Sequence, residues 1–266
     1  AQEPEAKKVQ IAGELVLPFS TRSTCGHCHN YATVSGGWHF NSWDGGPAGR
    51  PGEPWFWVNR KVGVQLPISP RPWKHAVQPA ELGMSPWAFT LRFGIYTPGG
   101  GAGEKFAATD KDTKARWQVG GPLEINCLAC HDSEPGHDQS AFVLQVAQQN
   151  FMWAAAATSG LATVKGACAK VPLTYDRFGP PDEDVKGAPA VKYDAARFDS
   201  AGKVLMQLRR DMLVDRCAFC HSTAEAGPGA PTRWQADQDV HIAAGMKCTA
   251  CHVNGLDHKI VRGYEG

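Results

Sequence analysis

Eight of the nine cysteines in this chain fall in Cys-x-x-Cys pairs, and every pair is followed at once by histidine. The four runs are Cys25-Gly-His-Cys28-His29, Cys127-Leu-Ala-Cys130-His131, Cys217-Ala-Phe-Cys220-His221 and Cys248-Thr-Ala-Cys251-His252. This spacing is the signature of covalent haem attachment. Two thiols add to the two vinyl groups on one edge of a porphyrin, and two intervening residues set their separation. The next residue then puts an imidazole nitrogen on the iron from the proximal side, and imidazole suits iron. Structural zinc also uses Cys-x-x-Cys knuckles, and the pairs at Cys217 and Cys248 could make a four-thiolate site. Zinc has no use for a histidine after every pair. Thioredoxin-like pairs and plain disulfides have none either.

Beyond the proximal His29, His131, His221 and His252, six histidines remain: His27, His39, His75, His137, His241 and His258. Four irons need at most four more ligands, so the supply permits two imidazoles at every iron. Such irons have no open position, and their potentials lie below those of Met/His ligation. His241 stands seven residues before Cys248, two helical turns away on the same face. His258 follows His252 by six residues. His39 sits among aromatics in Gly37-Trp38-His39-Phe40, and His75 in Pro72-Trp73-Lys74-His75. These four are the expected distal ligands. His137 competes with His75, although its neighbours Gly136 and Asp138 suggest an exposed turn. His27 lies inside a motif and points away from its own iron. Met84, Met152, Met212 and Met246 read as packing residues. Cys168 reads as a plain thiol. Arg209, Arg210 and Arg216 are either propionate partners or a solvated helix face. The nine tryptophans are expected mainly beside the porphyrins, whose flat faces a large rigid ring fits.

These twenty motif residues, together with the histidine-flanked segment from His241 to His258, resemble the multihaem c-type cytochromes of bacterial respiratory and extracellular electron transfer. The resemblance implies four covalent haem c groups and export to the periplasm or the exterior. It implies a scaffold organised around its cofactors rather than a regular fold. Electron transfer as a carrier or conduit is the expected function. Redox protein partners follow, and self-association into a homo-oligomer or filament is compatible with it. The alternative is a multihaem oxidoreductase acting on a small nitrogen or sulfur species at one open iron. All four motif positions are histidine, which argues against the class whose catalytic haem has a lysine there. A five-coordinate histidine haem stays open, with Tyr31 then worth attention. A reaction-centre tetrahaem subunit would want methionines on helices ahead of the motifs. Met212 and Met246 stand too close to Cys217 and Cys248 for that.

The elements that must hold these groups are few. The motifs are unevenly spaced, which suggests residues 1–110 around the first, 111–190 around the second, and a C-terminal pair over 191–266. No internal repeat extends beyond the motifs. Gly and Pro together make 48 of 266 residues, well above the roughly 12% average, so extensive loop is expected. The fold class expected is mainly α with much coil and little β. Residues 43–54 and 97–104 read as loops and 178–192 as a linker. The Gly-rich 97–104 segment is no phosphate loop, because no Gly-Lys-Ser/Thr follows it. Helices are expected over 140–157, 203–216 and 237–247, the last two feeding directly into motifs. Porphyrin faces would supply much of the core, so the chain without them should fold poorly.

Net charge is +1, and no basic stripe invites nucleic acid. No apolar run approaches the ~20 residues of a membrane span. The first residues, Ala1-Gln2-Glu3-Pro4-Glu5, read as a mature terminus left by signal cleavage.

Overall fold

Short helical turns, several of them started by a polar cap, carry most of the regular structure. The computed structural model describes residues 17–37, 39–40, 55–59, 61–68, 76–94, 111–179, 184–221, 240–258 and 260. Ser20 caps helix α1 (Thr21–Cys25) by accepting from the Ser23 amide, and Asn30 caps α2 (Tyr31–Ser35) through the Thr33 amide. Ser85, followed by a proline at the first helical position, opens α3 (Pro86–Phe93). Then come α4 (Lys111–Gly120), α5 (Leu128–His131), α6 (Gln139–Ala147), α7 (Ala154–Thr158), α8 (Val214–His221) and α9 (Val240–Ala243). Caps matter here because a helix this short has almost only terminal amides and carbonyls to satisfy.

Sheet is minor. Strands β1 (Trp55–Asn59) and β2 (Val64–Ile68) pair antiparallel, from Trp55 opposite Ile68 to Asn59 opposite Val64. Strands β3 (Ala162–Lys165) and β4 (Ala190–Tyr193) pair antiparallel, from Ala162 opposite Tyr193 to Lys165 opposite Ala190. The chain is thus mainly helical with little sheet and much coil. No helix among the described residues is long and apolar enough to cross a membrane.

All three expected helices require correction. The segment 140–157 is two helices with a break. Asn150, fully buried, donates to Gln145 Oε1 (2.8 Å) and the Gly166 carbonyl (2.9 Å), and accepts from the Cys168 amide (2.7 Å). Gln149 takes a left-handed φ of 62°, and a 3-10 turn at Phe151–Trp153 precedes α7. The polar residues that seemed to interrupt one helix are the hub around which the chain turns. Residues 203–213 form no helix, because their backbone bridges the exit of the second motif: Ser133 donates to the Gln207 carbonyl (2.8 Å) and Arg209 to that of His131 (2.8 Å). Of 237–247, residues 237–239 lie outside the described residues, and α9 ends at Ala243. Gly245, at φ +85°, closes it, with Gly245 donating to the Ile242 carbonyl and Met246 to that of His241. This is the Schellman pattern, which needs a left-handed residue that glycine supplies without strain. The expected loops 43–54 and 97–104 lie outside the described residues. The expected linker 178–192 ends in β4.

Among the described residues the protein core lies mainly in the middle of the chain. Trp153, Val119, Ala156, Cys168, Val171, Val191 and Tyr193 form one cluster. Trp117, Leu123, Phe142, Val146, Phe151 and Ala154 form a second, with Trp87 against it, and Ile68, Phe89 and Phe93 a third. Trp87, Trp117 and Trp153 therefore pack within the protein's own core: the Trp87 and Trp117 rings are 4.9 Å apart, and Trp117 is 4.6 Å from Phe151. Met84 and Met152 fill space beside these clusters, as expected, whereas Met246 is exposed. After residue 200 only Ala218 and Phe219 are buried among the described residues, while Leu205, Leu208, Val240, Val253 and Leu256 are exposed.

Candidate cofactor-attachment site

Each Cys-x-x-Cys-His run folds as one helical turn. In the first, the Cys28 and His29 amides both donate to the Cys25 carbonyl (3.2 and 3.0 Å). The second repeats this with Cys130 and His131 on Cys127 (3.3 and 3.0 Å), and the fourth with Cys251 and His252 on Cys248 (3.2 and 2.9 Å). The third lies wholly within α8. A helical turn brings residues i, i+3 and i+4 to one face. Each motif therefore presents two thiols and an imidazole side by side. No disulfide joins any of the nine cysteines.

The N-terminal segment is tied to the approach of the second motif. Thr21 Oγ1 donates to the Ile125 carbonyl (2.6 Å), and the Arg22 amide to Glu124 Oε2 (3.0 Å). The Ile125 amide donates to the Tyr31 hydroxyl oxygen (2.9 Å). Tyr31 is thus a strut between motifs, and burial pushes its phenol up to about 12. These contacts set the Cys25 and Cys127 thiols within hydrogen-bond reach of each other. That contact, then burial, pushes the Cys127 thiol up.

The second motif is joined in turn to the third. Arg216 Nε donates to the Asp132 carbonyl (3.1 Å), and α5 packs against α8. Arg216 is therefore a strut as well. Cys130 lies close enough to Cys217 and Cys220 to bear on their ionisation. Desolvation of the sulfur pushes Cys130 up to about 11, and Cys217 and Cys220 up to about 12. The third and fourth motifs meet where the Cys217 and Cys248 thiols come within hydrogen-bond reach. Nearby, Lys247 Nζ pairs with Asp211 Oδ2. The four motifs thus adjoin one another in chain order: first on second, second on third, third on fourth.

Imidazoles gather along this row. The His39 and His221 ring centroids are 6.1 Å apart, and so are those of His131 and His258. Phe40 packs on His258 at 5.6 Å. His131 Nδ1 donates to the Arg209 carbonyl (2.8 Å), and His258 Nδ1 to that of Leu256 (3.0 Å). A carbonyl can only accept, so both rings carry a proton on Nδ1, which in a neutral ring leaves the lone pair on Nε2. Burial, then the neighbouring His221 and His258, pushes His39 down to about 4, so it is neutral at physiological pH. Burial, then His252, lowers His221 too.

The other expected ligands are placed differently. His29, His252 and His241 are exposed, and His75 lies outside the described residues. With α9 ending at Ala243, His241 and Cys248 do not share one continuous helix. His137 is not on an exposed turn: it is 4% exposed, and its Nδ1 donates to Asp132 Oδ2 (3.0 Å). That buried pair, beside His131 in sequence, has no spacing signal that would reveal it. Among the described residues no three His, Cys, Asp or Glu side chains converge as a metal-ion site. No family model matches the chain, and no curated protein or solved structure similar to it was found.

Proposed function

We propose that this chain is a tetrahaem c-type cytochrome that passes electrons along a row of four covalently held haems. The observation that carries the reading is the repeated motif turn, four times presenting two thiols and an imidazole on one face, with the turns adjoining in chain order. The donor set fits a haem. The porphyrin brings four nitrogens of its own, so the chain owes each iron only one or two imidazoles, and no cluster of three side chains is needed. Exposed Leu205, Leu208, Val240, Val253 and Leu256, around the third and fourth motifs, are apolar surface of the kind a porphyrin face would cover. Each haem iron, once bound, takes and gives one electron. The protein's part is to fix spacing, burial and axial ligands, which set the potentials. Motifs in contact would keep neighbouring haems within tunnelling range. Haem attachment places the protein in the periplasm or outside the cell, exchanging electrons with protein partners or with further copies of itself.

The test is low-temperature electron paramagnetic resonance of the oxidised protein. A carrier with two imidazoles per iron gives low-spin ferric signals throughout. A high-spin signal from about one iron in four would instead indicate an open site and an oxidoreductase.

A further inference from the structure

We infer that two of the irons take their distal ligands from remote parts of the chain: His258 completes the iron held by His131, and His39 the iron held by His221. The inference rests on the haem reading and adds the ligand pairing to it. A ring nitrogen binds a first-row metal at about 2 Å, with the ring centre ~1.2 Å behind it, so two imidazoles across one metal have centroids roughly 6 Å apart. Both pairs stand at 6.1 Å. Bare ring packing also spans this distance. It does not explain the tautomers. His131 and His258 each direct Nδ1–H to a backbone carbonyl, the second partner that metal-bound histidines keep, and each leaves Nε2 for a metal.

His258 is also held at a cost. Its φ is 54°, a left-handed conformation that strains a non-glycine residue. The turn persists because the His258 amide donates to the Gly255 carbonyl (3.1 Å) and because Gly37 lets the chain approach. A Cβ on Gly37 would lie 2.8 Å from the His258 Cβ and 2.9 Å from its carbonyl oxygen. Gly37 and Phe40 thus seat His258 against the segment that carries His39. Among the described residues, buried His39 Nδ1 has no hydrogen-bond partner, an unsatisfied nitrogen that a metal or a cofactor group would relieve. One short stretch, 37–40, therefore supplies the ligand of the third iron and positions that of the second.

The experiment uses the full chain matured with its haems, as wild type, His39→Ala and His258→Ala, each checked by intact mass for four haems. Each variant is expected to turn one iron in four high-spin, and added imidazole should restore the low-spin signal. Nuclear Overhauser contacts then identify the iron. His39 ring protons should contact the haem whose thioethers come from Cys217 and Cys220, and His258 ring protons the haem on Cys127 and Cys130. Variants that carry four haems and stay fully low-spin would overturn the pairing alone, as would contacts to any other haem. Protein without haem would overturn the cofactor reading, and the pairing with it. Should either alanine variant fail to fold, the wild-type contacts decide the question unaided.

Discussion

His137 and His258 look alike in sequence, each an isolated histidine between small or polar neighbours, yet their surroundings differ. His137 is buried with its Nδ1–H on Asp132 and its Nε2 without a hydrogen-bond partner, whereas His258 packs on the motif histidine His131 with its Nδ1–H on the Leu256 carbonyl. Replacing His137 with alanine leaves a buried carboxylate short of a partner, at a cost of about 1–3 kcal/mol. We expect a lowered denaturant midpoint with all irons still low-spin. A high-spin iron in that variant would make His137 a ligand. Cys168 is fully buried, and burial pushes its thiol up to about 12. The thiolate is the reactive form, so native Cys168 should resist alkylation at pH 8 and react once the chain is unfolded. Rapid labelling of the native protein would contradict this. The four Cys-x-x-Cys-His turns were legible because their spacing is local in the chain. The ring contacts were not legible, since they join residues up to 182 apart, as for His39 and His221.

At the level of elements, the sequence pointed to the right class and to the wrong segments. Short helices and scarce strand follow from the Gly and Pro content. The helix over 140–157 looked continuous because Val143, Val146 and Phe151 keep a helical rhythm. That rhythm cannot reveal that Asn150 bonds to residues 166 and 168 across the fold. The helix over 203–216 failed for a similar reason: its backbone groups are taken by His131 and Ser133. Two substitutions probe these joints. Asn150→Ala strips partners from buried Cys168 N–H and the Gly166 carbonyl, and should cost at least ~2 kcal/mol in denaturant unfolding. Thr21→Val removes the 2.6 Å bond to Ile125 and should cost about 1 kcal/mol. A denaturant midpoint unchanged in either variant would mean that the bond in question does not hold its segment in place.

Across the whole molecule, stability is divided unevenly. Residues 117–171 bury most of the aliphatic and aromatic side chains of the first two core clusters, whereas among the described residues after 200 only Ala218 and Phe219 are buried. Folding of the C-terminal part must then depend on what covers its exposed leucines and valines. In a host lacking haem attachment, hydrogen exchange should show slow amides over 142–156 and fast exchange over 201–258. The matured protein should be slow in both. Equal protection with and without cofactor would remove the structural role assigned to the haems. The most direct test of the central claim is the intact mass of native protein after acidic acetone extraction. Four thioether-linked haems predict that the pigment stays with the chain and that its mass exceeds the polypeptide's by four haem groups. A colourless chain of bare polypeptide mass would contradict the account.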